Sequence, residues 1–209
     1  MNAVIIGVAI LFFLLFLYLL KQSKQPTGLV GIWMMKIWNQ VYFPMVEWAI
    51  SQLEQQNIKN ILDVGIGNGQ STLYLKQYFP NSKVIGIDIS KTAITQAKKW
   101  NIADLNFELK DVGQTTYSAE SFDLITAFQT HFHWPDLSRA FFELRRILRR
   151  DGLILLACEW SKLTYFQPEL KKEEEFAAFL NNKGLKLVSS QRKNQWILYK
   201  IVKKPEGVI

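Results

Sequence analysis

Three glycines at alternate positions, Gly65, Gly67 and Gly69, follow the apolar run Ile61–Val64 and open an amphipathic stretch at Gln70. Nothing else in the chain limits the fold as much. Glycine allows a tight turn and lets a ligand approach the backbone. A buried strand that turns at glycines straight into a helix presents free N–H groups and the positive end of the helix dipole, which suit a carboxylate or a phosphate. Asp88 stands near the end of the next apolar run, Lys83–Ile89, nineteen residues beyond Gly69. An acid there can accept hydrogen bonds from both hydroxyls of a ribose.

The rest of the body keeps the alternation. Helix is expected over Gln70–Phe79, stopped by Pro80, and over Lys91–Trp100, with Ser90 as N-cap. Strands follow at Asn106–Val112 and Phe122–Phe128. A helix over Leu137–Arg149 stops at Asp151-Gly152, and a strand runs over Leu153–Cys158. Trp160–Gln167 reads as a short connection, and Pro168–Asn181 as a helix ending before Gly184. Leu185–Ser190 and Gln195–Lys203 close the chain as a hairpin. Strands alternating with helices of 10–15 residues mean a mainly parallel sheet covered on both faces. The expected fold is α/β, doubly wound and Rossmann-like, with seven strands, an antiparallel C-terminal hairpin and one N-terminal transmembrane helix.

That helix is read from Ala3–Leu20, a continuous uncharged run. Eighteen residues at ~1.5 Å each cover ~27 Å, enough for a thin bilayer core. A cleaved leader would have basic residues before the run and small residues at a cleavage site; only Met1 and Asn2 precede it, and Leu19-Leu20-Lys21-Gln22 follows. Lys21 and Lys24 favour a single-pass protein with its body in the cytoplasm. The expected organisation is a span at 1–21, a polar linker at 22–28 and a domain at 29–209. Residues 29–53 form its helical cap. The cap holds Trp33, Trp38 and Trp48 and three of the four methionines, and Pro44 should break or kink it, the plainer reading being a pair of helices. Tryptophan and tyrosine also favour the bilayer interface.

The net charge is +7, and residues 141–209 account for +6 of it. No stretch interleaves aromatic and basic residues in a nucleic-acid reading motif, so a nucleic-acid partner is disfavoured. A basic surface suits a protein held beside anionic lipid. The single cysteine, Cys158, excludes a disulfide framework or a thiolate zinc cluster within one chain, and no metal site is expected.

Taken together, Asp63-x-Gly65-x-Gly67-x-Gly69, then Asp88, Asp111-Val112 and Leu148-Arg149-Arg150-Asp151-Gly152 resemble the class I S-adenosylmethionine-dependent methyltransferases over about residues 29–204. His131-Phe132-His133-Trp134-Pro135-Asp136 resembles a stretch of the small-molecule branch. Ile66 and Asp151 depart from the usual pattern. The resemblance implies S-adenosyl-L-methionine as cofactor. It places Gly65, Gly67 and Gly69 under the methionine part, with Asp63 toward the ammonium and Asp88 on the ribose. Ile89 lies against the adenine, Asp111 and the Val112 N–H bind its edge, and Phe128 sits near the reacting methyl.

A base is needed only if the acceptor must lose a proton, and His131 is the candidate, against the plainer reading of a loop anchor. The aromatic cap adjoins the span, so a small, lipid-like acceptor is the natural substrate class. Two alternatives stay open: a nicotinamide-dinucleotide oxidoreductase, which would need a glycine where Gln70 stands, and an anchored protein that binds the cofactor without catalysis.

Overall fold

The computed structural model describes residues 2–53 and 57–205. Met1 of the expected span and residues 54–56 and 206–209 of the expected domain lie outside them. Two helices come first, α1 (Asn2–Lys24) and α2 (Gly28–Ser51). The body then alternates: β1 (Asn60–Val64), α3 (Gln70–Tyr78), β2 (Lys83–Asp88), α4 (Lys91–Ala97), β3 (Leu105–Leu109), β4 (Phe122–Phe128), α5 (Leu137–Ile147), β5 (Leu148–Glu159). It ends with α6 (Trp160–Phe166), α7 (Glu173–Asn181), β6 (Leu185–Lys193) and β7 (Trp196–Lys203).

The seven strands form one sheet in the order β3-β2-β1-β4-β5-β7-β6. β1 to β5 are mutually parallel, whereas β7 runs antiparallel to both β5 and β6. The strand order reverses at β1 and β4, so their carboxyl ends open the crevice where sheets of this kind take ligands. One face of the sheet packs Phe141, Leu144 and Ile147 of α5 with Phe176 and Leu180 of α7. The other packs Met45, Ala49 and Ile50 of α2 with Leu75 of α3 and Ile94 of α4. Burial on both sides explains why β1 and β4 read as continuous apolar runs.

Five expectations need correction. Pro44 does not break the cap, and α2 is one helix. Proline removes one helical hydrogen bond. The residue left without it, Gln40, is solvent-exposed, and buried side chains on both sides (Met34, Met35; Met45, Val46) hold the helix to one surface.

The helix expected to reach Arg149 ends at Ile147. Leu148, fully buried, pairs with Phe122 and begins β5, so Asp151-Gly152 lies within a strand. Between Phe122 and Leu124 the register shifts, and residues 149–152 bulge out.

Trp160–Gln167 is mostly helix α6, because Leu163 is buried and Phe166 stacks on Phe132 at 5.5 Å. The helix expected from Pro168 is a 3-10 turn at Pro168–Leu170 followed by α7, whose first turn carries Glu173, Glu174 and Glu175. Acids there complement the helix dipole.

The linker at 22–28 is the last turn of α1 plus a tied corner. Gln22 is buried, donates from Nε2 to Thr27 Oγ1 at 2.8 Å, and accepts from the Thr27 N–H at 2.8 Å. Gly31 of α2 approaches this corner so closely that a Cβ would lie 2.8 Å from the Pro26 carbonyl carbon. From Val4 to Leu19 the apolar side chains of α1 are exposed, and the helix is long and apolar enough to cross a membrane.

Candidate functional site

The turn after β1 is held at both ends. The Gly65 N–H donates to Ile87 O at 2.8 Å, and the Gly67 N–H to Asp88 Oδ2 at 3.0 Å. Gly65 has φ 73°, and a Cβ there would meet Thr130 Oγ1 at 2.1 Å, so no other residue fits. Gly67 has φ 56° and lines a cavity, where a Cβ would find nothing nearer than Met35 Sδ at 3.8 Å. A side chain at 67 would therefore occupy space that a ligand needs.

Two adjoining cavities, of about 150 and 50 Å³, lie at the carboxyl edge of the sheet. Both are bordered by Gly65, Asp88, Thr130, His133 and Lys24. The smaller adds Ile89, Asp111 and Val112. The larger adds Gly67 and Phe128 below, and Met34, Met35, Trp38 and Tyr42 of α2 above. Sequence-predicted residues from four strand ends thus meet at one place.

Asp88 is nearly buried. Its Oδ1 accepts from the Ser90 N–H at 2.8 Å while Oδ2 holds Gly67, and burial pushes its pKa up. Each oxygen keeps a second lone pair for a hydroxyl. Asp111 is exposed and accepts from the Gly113 N–H at 2.8 Å, so it shapes its own turn at the edge of the smaller cavity.

Three candidates lie elsewhere. Gly69 lines neither cavity, and a Cβ there would meet Ala97 and Phe107 at 2.8 and 2.9 Å. Asp63, 1% exposed, sits beneath the turn and lines neither cavity. Its Oδ2 accepts from Ser71 and Thr72 at 2.6 and 2.9 Å, and Oδ1 accepts from Thr126 at 2.7 Å. Burial raises its pKa to about 6 despite these donors. It braces the turn from below rather than forming cavity wall.

His131 is 1% exposed, lines neither cavity, and has no hydrogen-bond partner on either ring nitrogen. Burial lowers its pKa to about 3. The residues His131–His133 form a 3-10 turn, in which successive side chains point ~120° apart. His131 turns toward Trp134, and His133 faces both cavities instead. Burial first, then the charges of Lys24 and Lys162, lower the His133 pKa to about 4.

Several site residues had no signal in the sequence. Gln129 has φ 57°, a conformation that strains a non-glycine residue by ~1–3 kcal/mol. Its Oε1 accepts from the Glu159 N–H at 2.7 Å, and its Nε2 is buried without a partner. Tyr42 donates to Glu159 Oε2 at 2.9 Å, pinning α2 to the end of β5. Lys162 of α6 lies over the rings of Trp38 and Tyr42, at 4.6 and 5.1 Å from their centroids.

Residues 62–156 match a family model described as a methyltransferase domain. The match runs from β1 to β5 and so includes the glycine turn, Asp88 and Asp111. Among curated proteins, the chain is 27% identical over 125 residues to the uncharacterised methyltransferase YcgJ of Bacillus subtilis, covering 58% of this chain and 46% of that one. It is 32% identical over 149 residues to a malonyl-[acyl-carrier protein] O-methyltransferase of Ilyobacter polytropus, covering 63% and 54%. A wheat phosphoethanolamine N-methyltransferase is 29% identical over 132 residues, covering 62% and 25%. The chain thus spans between a quarter and about half the length of these relatives.

Among solved structures, a methyltransferase in complex with the Haloferax volcanii Trm112 activator superposes with TM-score 0.73 at 13% identity, over 86% of this chain and 97% of that one. Geranyl diphosphate C-methyltransferase of Streptomyces coelicolor, solved with S-adenosyl-L-homocysteine, superposes with TM-score 0.66 at 14% identity, over 79% and 80%. These superpositions establish a shared fold. The sequence matches support a methyltransferase, and the oxidoreductase alternative is not favoured.

Proposed function

We propose that this chain is an S-adenosylmethionine-dependent methyltransferase, held at a membrane by α1 with its body in the cytoplasm, and acting on a small lipophilic acceptor. One observation carries the reading: the glycine turn, Asp88 and Asp111 border paired cavities roofed by α2 and by the last turn of the apolar helix α1. The cavity walls fit the cofactor. Gly67 leaves open space, Asp88 offers lone pairs for ribose hydroxyls, and Gln129 Nε2 and His133 Nδ1 are buried polar atoms still without partners.

Asp88 would hold the ribose, with Ile89, Asp111 and the Val112 N–H around the base in the smaller cavity. The bound sulfonium supplies an electrophilic methyl group. The chain's own task is to orient the acceptor in line at ~3–3.5 Å and to keep water out. Met34, Met35, Phe128 and Phe132 supply apolar wall for that purpose. His133 is neutral at pH 7 and can accept a hydrogen bond from the acceptor. A proton on it would be poorly held beside Lys24 and Lys162. This favours an acceptor that needs no strong base.

Calorimetry on the full chain in detergent tests the core of the reading: S-adenosylhomocysteine should bind and NAD should not. Tighter binding of NAD would overturn it. Protease protection tests the topology, and a soluble mature chain starting near residue 22 would overturn the anchor.

A further inference from the structure

We infer that the acceptor is an anionic amphiphile, whose carboxylate or phosphate headgroup is received by Lys24 and Lys162 while its tail stays on the lipid side of α2 and α6. The inference rests on the methyl-transfer reading above and names the substrate class for the same site.

It begins with how the two ammonium groups are held. Both lysines border the larger cavity. Neither has a carboxylate within ion-pair distance among the described residues. Aromatic rings hold them instead: Lys162 over Trp38 and Tyr42, and Lys24 over Phe166 at 5.7 Å. A cation seated on a ring face is positioned without being neutralised.

Nearby acids are otherwise engaged. Glu159 accepts the hydroxyls of Tyr42 and Ser161, one on each carboxylate oxygen. Asp88 is bound by the Gly67 and Ser90 N–H groups on the cofactor side. Lys162 is half-buried, and this desolvation lowers its pKa against the opposing charge of Glu159, a net cost that an arriving anion would relieve. His133 is held below its usual range partly by these same two charges, so it registers the positive field of the opening. A cationic headgroup would be repelled there, and a neutral one would leave Lys162 half-buried with only the charge of Glu159 acting on it.

The tail follows from the surroundings. The helices that present the cation–ring pair, α2 and α6, also carry exposed Trp33, Val41 and Tyr165. α1, which presents Lys24, is apolar and exposed from Val4 to Leu19. A headgroup at the lysines therefore has apolar surface beside it, and a free water-soluble anion would make no use of that surface.

The test uses the full chain in phosphatidylcholine nanodiscs saturated with S-adenosylhomocysteine, titrated with short soluble probes. Hexyl phosphate or hexanoate should bind at least tenfold more tightly than hexanol, hexylammonium or inorganic phosphate. Lys162→Gln should reduce that preference at least fivefold and Lys162→Arg should restore it, with S-adenosylhomocysteine affinity within twofold throughout. Lys24→Gln should act in the same direction. Equal binding of hexanol and hexyl phosphate would overturn the inference. So would equal binding of inorganic phosphate and hexyl phosphate, which would assign the lysines to a free anion. Loss of S-adenosylhomocysteine binding by the unaltered protein, with the amphiphile preference intact, would overturn the methyl-transfer reading and leave the anion assignment standing.

Discussion

The Ser90 hydroxyl donates to the carbonyl of Pro26 at 2.6 Å. Ser90 is also the N-cap of α4, accepting from the Ala93 N–H, and its own N–H holds Asp88. Beside it, Gln25 Nε2 reaches Ile89 O at 3.3 Å. The corner between α1 and α2 is thus fastened to the strand end that would bind a ribose, and the root of the apolar helix is part of the site wall.

This attachment predicts how truncations behave. Removing residues 2–18 leaves Gln22, Lys24 and Pro26 in place and should leave S-adenosylhomocysteine affinity within about twofold. Removing residues 2–26 takes away wall from both cavities and should weaken binding by at least tenfold. Calorimetry of the two truncations decides it. Equal affinities would show that the corner is only a tether.

Asp88→Ala should weaken S-adenosylhomocysteine binding by about 1–3 kcal/mol, the cost of leaving hydrogen-bonding groups unpaired. The same change frees the Gly67 and Ser90 N–H groups, so the melting temperature of the apoprotein should fall as well. Unchanged affinity in a folded variant would place the ribose elsewhere.

The alternation of strands and helices, the glycine turn and the gathering of Asp88, Asp111 and Phe128 at one edge were legible because they follow from local patterns: apolar runs, turn glycines and strand ends. What was not legible depends on orientation and long-range packing. Lys162 and Glu159 read as ordinary charged residues until α6 folds against α2. His131 and His133 are equivalent in the sequence, and only the 3-10 turn separates them. Gln22–Gly28 has the composition of a linker, and nothing local announces that Ser90, far along the chain, will tie it down. Pro44 misled because the rule for proline is local, whereas burial on both sides of it is not.

His131 should behave as a structural residue with an acid liability. Its folded pKa of about 3 lies below the ordinary value of 6.5. As pH falls below 6.5 the unfolded chain takes up a proton that the native state refuses, so stability is lost progressively down to about pH 3. At pH 5 the loss relative to pH 7.5 is about 2 kcal/mol. His131→Phe removes this titration and two unpartnered ring nitrogens. It should remove that share of the pH dependence of stability between 7.5 and 5, leaving the shares of His133 and Asp63, and keep methyl transfer at pH 7.5. A large loss of turnover with the fold and cofactor affinity intact would restore His131 as a base.

The two tryptophans of α2 that flank its exposed side should separate membrane contact from acceptor binding. Trp38 lines the larger cavity, lies under the Lys162 ammonium and stacks on Tyr42 at 5.8 Å. Trp33 lines neither cavity, and 64% of it is exposed. On the reading proposed above, Trp38→Ala removes wall and the seat of a cation, while Trp33→Ala removes only an interfacial anchor. Radiolabelled methyl transfer to lipid extracts should therefore fall at least tenfold for Trp38→Ala, with S-adenosylhomocysteine affinity nearly unchanged. For Trp33→Ala, turnover in detergent should stay within about twofold, while a variant also lacking residues 2–18 should bind vesicles more weakly. Tryptophan favours the headgroup level because its ring is apolar and its N–H polar, so the vesicle effect should persist at high salt. If Trp33→Ala abolished turnover in detergent while Trp38→Ala did not, the acceptor would lie on the outer face of α2 and the cavity beneath it would have another use.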